Sequence, residues 1–65
     1  MLVEIQGLQQ GSIEVKLDIL PRVGEILTVM YGADAEVHGQ VSSIHHYINQ
    51  HADEHKISIT LQAIN

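Results

Sequence analysis

Four of the chain's five histidines fall in one run, His45-His46-Tyr47-Ile48-Asn49-Gln50-His51-Ala52-Asp53-Glu54-His55. Imidazole takes up a proton just below neutral pH and ligates borderline metal ions, so this run is where the sequence offers chemistry. His45, His46, His51 and His55, with Asp53 or Glu54, supply nitrogen and oxygen donors suited to Zn²⁺, Ni²⁺ or Cu²⁺. Neighbouring residues of a regular strand point to opposite faces, which keeps His45 and His46 from sharing one ion. A two-histidine site across a hairpin, from His46 to His55, is geometrically easy. The alternative for the whole run is a solvated, pH-responsive polar rim.

His51-Ala52-Asp53-Glu54-His55 also spells H-x-x-E-H, the inverted zinc-peptidase signature, which makes His51 and His55 the candidate zinc or nickel ligands. The chemistry behind that spelling requires a helix, on which two histidines one turn apart grip zinc while glutamate activates the bound water. A chain of 65 residues has no scaffold for a third ligand, a substrate cleft and an oxyanion stabiliser. Ser42, Ser43, the histidines and Asp53 contain the residue types of a hydrolytic triad, but nothing resembles a nucleophile elbow. No phosphate-cradling glycine loop is present either. The expectation is a protein that is not an enzyme and carries no obligatory cofactor.

Composition narrows the partners. The chain is expected to form one domain, residues 1–65, and a domain this small buries only about 60% of its unfolded surface. Small folds compensate with disulfides, metal or self-association, and without cysteine the first is closed. A homo-oligomer is therefore expected. Three basic residues, Lys16, Arg22 and Lys56, stand against eight acidic ones, for a net charge of −5. Phosphate backbones are held chiefly by Lys and Arg, so nucleic acid is an unsuitable partner, and an anionic membrane would repel the chain. Tyr31 and Tyr47 are the sole aromatics, too few to stack bases or line a proline-peptide groove. Met1-Leu2-Val3-Glu4 lacks the basic start of a signal peptide, and no apolar run reaches membrane-spanning length, so the expected compartment is the cytoplasm.

The elements that would position the histidines follow from period-two alternation. Val3 and Ile5 mark a first strand, joined through Gly7-Leu8-Gln9-Gln10-Gly11 to a second over Ser12–Ile19, with Ile13, Val15, Leu17 and Ile19 on one face. Pro21-Arg22-Val23-Gly24 closes that strand, because proline gives no N–H to a ladder. A third strand runs Glu25–Tyr31, Gly32-Ala33-Asp34-Ala35 turns, and a fourth runs from Glu36 to about Ile48. Within it Ile44 is out of phase with Val37 and Val41, which predicts a β-bulge near Gly39 or Ser42-Ser43. A loop from Asn49 to His55 leads to a fifth strand over Lys56–Ile64, with Ile57, Ile59, Leu61 and Ala63 facing one way. A helix over residues 43–55 is the competing reading, since Ile44, Tyr47, Ile48, His51, Ala52 and His55 also fit a helical spacing.

Leu20-Pro21-Arg22-Val23-Gly24-Glu25-Ile26-Leu27 resembles the P-x-x-G-[DE]-x-hydrophobic turn of SH3-like small barrels, including short phage and bacterial proteins. The resemblance implies an all-β fold, a five-stranded antiparallel meander closing into an SH3-like small barrel. Arg22-Val23-Gly24-Glu25 also resembles the start of the bacterial carbon storage regulator, a small dimeric β RNA-binder. In that family basic residues accompany the segment near the N-terminus; here a hairpin precedes it and the basic surface is missing. The sequence thus points to a non-enzymatic interaction module that self-associates and binds a protein partner, of the phage accessory or anti-defence kind. Its expected surface comprises Arg22, His45, His46, Tyr47, His51 and His55. The alternatives are a homo-oligomer that sequesters a small ligand or nucleotide, and a histidine-based metal-binding protein.

Overall fold

The alternating segments form five strands: β1 (Leu2–Gln6), β2 (Ile13–Lys16), β3 (Ile26–Met30), β4 (Glu36–Asn49) and β5 (Glu54–Gln62). The computed structural model describes residues 1–7 and 11–64. None of these is helical, so no helix is long and apolar enough to cross a membrane, and residues 43–55 are not a helix. The strands make one sheet in the order β2-β1-β5-β4-β3. All pairings are antiparallel except β1 with β5, which run parallel through Glu4↔Ser58, Ile5↔Ile59 and Gln6↔Thr60.

This corrects the antiparallel meander. Among the described residues β2 and β3 lie at opposite edges and do not pair, so the sheet curls into a half-barrel and stays open. The chain passes from one edge to the other through residues 17–25, from which Leu17 and Leu20 pack against the core. That passage also ends β2 early. Leu17 still pairs with Met1, by reciprocal 2.8 Å bonds, before the chain leaves the sheet. Ile19, expected on the inner face, lies in that passage and is 82% exposed.

Val3, Ile5, Val37, Val41, Ile57, Ile59 and Leu61 are the buried core, all from one face of the three central strands. Each such aliphatic side chain contributes roughly 1.5–3 kcal/mol by leaving water. Ile13, Val15, Leu27, Val29 and Ile44 extend the apolar layer while remaining partly exposed. Ala63, placed on that face by its phase, lies past the end of β5 and is exposed. The opposite face is mainly polar, with Leu2, Ile26 and Met30 exposed on it, and Glu4 and Glu14 stand directly across from one another. Like charges in such a pair oppose the contact slightly.

Turn chemistry fixes the connections. Glu25 N–H donates to Arg22 O at 3.1 Å and Gly24 has φ +97°, the third position of a type II turn. Arg22 N–H donates to the Glu25 carboxylate at 2.6 Å. The only ion pair among the described residues joins Lys56 to Glu54 at 3.8 Å, so the arginine meets Glu25 through its backbone rather than through its guanidinium. The Gly7–Gly11 connection lies partly outside the described residues, but Gly7 itself (φ +102°) passes close over β5. A Cβ there would stand 2.5 Å from the Leu61 carbonyl oxygen and 2.9 Å from Thr60 Cγ2. Gly7→Ala is therefore expected to lose about 2–4 kcal/mol, combining the unfavourable φ with a backbone clash. Urea unfolding checks this; a loss below about 1 kcal/mol would contradict so close an approach.

Candidate functional site on the arm of β4 and β5

Beyond the reach of β3, the β4–β5 hairpin continues as an arm carrying all four clustered histidines, flanked by β1 as far as Ser58 and two-stranded past it. Register across it runs Ile44↔Ile59, His45↔Ser58, His46↔Ile57, Tyr47↔Lys56, Ile48↔His55 and Asn49↔Glu54. The expected loop from Asn49 to His55 is shorter than its sequence suggested. Only Gln50, His51, Ala52 and Asp53 form the turn. Asn49 Oδ1 accepts the N–H groups of His51 at 3.0 Å and Ala52 at 3.3 Å, while Asp53 takes φ +52°. Asparagine and aspartate tolerate these roles well, which lets pairing persist to the tip.

A bulge at Ser42, between Val41 and Ser43, sets which side chains face which way. Its hydroxyl donates to Thr60 O at 3.0 Å. The extra residue restores the phase, so Ile44, His46 and Ile48 follow Val37 and Val41 on the inner face. His45 and Tyr47 turn to the outer face with Ser58 and Lys56. His45 and His46 are thereby separated, as strand geometry requires.

The structure brings His46 and His55 together. Their rings stack with centroids 5.3 Å apart and 27° between planes, and His46 Nδ1 lies 3.1 Å from His55 Nε2. That bond needs one ring to donate N–H to a bare nitrogen of the other. His51 sits exposed at the turn, away from the helical spacing that H-x-x-E-H chemistry needs. Arg22 stands in the separate turn before β3, its backbone held by Glu25. Among the described residues no three His, Asp or Glu side chains converge to enclose a metal. The fifth histidine, His38, meets Thr28 Oγ1 through Nδ1 at 2.6 Å on the outer face, a contact that residue spacing did not suggest.

A second feature of the arm is its uncovered backbone. The β3 ladder reaches Gln40, and past it Val41 N–H donates to Glu25 O while Gly24 N–H donates to Val41 O, both at 2.8 Å. Among the described residues nothing pairs with Ser43–Asn49 on that side. Because Val41 bonds toward β3, its partner Leu61 belongs to the β5 positions that exchange no bonds with β4. Alternation along the unbroken β5 gives Ile59, Ile57 and His55 the same phase. Their partners Ile44, His46 and Ile48 therefore aim N–H and C=O outward, away from the sheet. Beside this edge Ile48 is 63% exposed and Tyr47 49%.

The concavities here are open. One, of about 600 Å³, is a depression over residues 47–51 at the tip, and another of about 410 Å³ lies between Leu2, Glu4, Glu14 and the start of β5. No protein-family model matches this chain, and no match was found among curated proteins or solved structures.

The tip depends on one side chain. Asn49→Ala is expected to lower stability by about 1 kcal/mol, since two backbone N–H groups lose their acceptor. Amide exchange should quicken at Glu54 and His55 more than at Ile59; an unchanged arm would show that the turn closes without it.

Proposed function

We propose that this chain is a non-enzymatic interaction module that self-associates and binds a protein partner through exposed edges of its sheet. One observation carries the reading: among the described residues nothing pairs with the edge of β4 over Ser43–Asn49, and exposed Ile48 and Tyr47 stand beside it. An unpaired edge presents a row of donors and acceptors that a further strand satisfies, with the adjacent side chains supplying selectivity. The charge balance favours a protein over a polyanion as that partner. Size-exclusion chromatography with light scattering is expected to show a species larger than 7.2 kDa at micromolar concentration. A strict monomer at high micromolar concentration would remove the self-association.

A second reading, a histidine-based metal site, is favoured by the 3.1 Å approach of His46 Nδ1 to His55 Nε2. Two nitrogens this close fit adjacent positions on one zinc or nickel ion once the proton between them leaves. This moves the ligand pair from His51 and His55 to His46 and His55. Calorimetric titration of zinc or nickel into tag-free protein should then give micromolar binding that His46→Ala and His55→Ala abolish and His51→Ala retains. Heats no larger than buffer would end this reading.

A further inference from the structure

We infer that a second copy of this chain occupies the free edge of β4, pairing antiparallel about a two-fold axis at His46. The inference rests on the self-association proposed above and gives it an address and a register.

Charge narrows the surface. From Val37 to Ala52 the chain has no Asp, Glu, Lys or Arg, and all eight acidic residues lie outside that stretch. Two molecules of net charge −5 repel across most orientations, and the Ser43–Asn49 edge, like the shorter uncharged strand Ile26–Met30, lets them meet without opposed carboxylates. Edge strands that must stay single ordinarily carry lysine, proline or inward charge, and Ser43–Asn49 has none of these.

Symmetry selects the register. The uncovered segment Ser43–Asn49 is centred on His46, so full overlap of two such edges puts His46 opposite its copy. His46 also turns both backbone groups outward, so this pair exchanges two hydrogen bonds, as do Ile44 with Ile48 of the second copy and the symmetric pair. On the inner face isoleucine meets isoleucine, covering the exposed Ile48 and continuing the apolar layer that Ile44 begins. On the outer face His45 meets Tyr47 and Ser43 meets Asn49. Cross-strand pairs of these kinds are favourable or neutral, and none opposes like charges. The sequence of the edge is thus complementary to itself read backwards, which a closed two-fold interface requires. Among the described residues nothing pairs with the outer edges of β2 and β3, which leaves them for another partner.

Two variants test the edge itself. Ile48→Pro removes an N–H that points away from β5, so the hairpin should survive while the intermolecular ladder fails. Light scattering should report a monomer, with the circular-dichroism spectrum of the parent retained. His46→Cys introduces the only thiol of the chain at the two-fold axis. Opposed residues of a hydrogen-bonded pair sit about 5.5 Å apart at Cα, inside the range a disulfide spans. Diamide should cross-link His46→Cys to a covalent dimer at least tenfold faster than Asp34→Cys at the β3–β4 turn. A dimer that persists in Ile48→Pro, or cross-linking of His46→Cys no faster than the control, overturns this edge while leaving self-association standing. A parent chain that is monomeric removes both.

Discussion

The parallel pairing of β1 with β5 is the contact that the rest of the structure hangs upon. Ile5 and Ile59 lie side by side in it, both fully buried, and each strand carries a further element on its other side. β1 brings β2 and β5 brings β4 with β3, so removing this one seam would leave a two-stranded and a three-stranded piece, each with an exposed apolar face. Neither piece alone has a layer to pack against, and the two-stranded one is marginal in water. The close passage of Gly7 over the Leu61 carbonyl belongs to the same seam. The first strand lies so near β5 that its exit accepts no side chain.

The strands themselves were legible because their pattern is local. Alternating Ile, Val and Leu announce strands over Ser12–Ile19 and Lys56–Ile64 regardless of what they pair with, although the observed strands run Ile13–Lys16 and Glu54–Gln62, and Pro21 and Gly24 mark a turn wherever it lies. The misfit of Ile44 with Val37 and Val41 announced a bulge, and Ser42 supplies it. Pairing order was not legible, since nothing in Leu2–Gln6 distinguishes a partner running parallel from one running antiparallel. Short connections suggested a meander, but residues 17–25 span from one edge of the sheet to the other. At the site, the approach of His46 to His55 followed from a hairpin of the right register. The register in turn depended on a turn that Asn49 and Asp53 make shorter than their polar neighbourhood implied. The unpaired backbone of β4 could be known only once β3 was seen to stop at Gln40. Its lack of charge from Val37 to Ala52 was in plain view and carried no meaning without that edge.

The histidines acquire their setting from these same constraints. The bulge delivers His46 to the apolar side beside His55 and sends His45 to the polar side beside Ser58 and Tyr47. An edge without Asp, Glu, Lys or Arg is an unusual choice for a chain with so many carboxylates, because charge is the ordinary safeguard against strand addition. The inner row thus sets the His46–His55 contact beside the aliphatic side chains of Ile44 and Ile48.

The four-residue turn at the tip also orders events in time. Joining Asn49 to Glu54 closes a very short loop, whereas setting Ile5 against Ile59 brings together positions near the two ends of the described chain. Loop closure grows costlier with separation, and folds that depend on distant pairings form slowly. The β4–β5 hairpin is therefore the natural seed of folding, and the seam that completes the core closes last. During that interval the molecule displays a formed, uncharged strand edge before it owns a finished interior. Whatever concentration of nascent chains surrounds it will decide whether assembly follows folding or overtakes it.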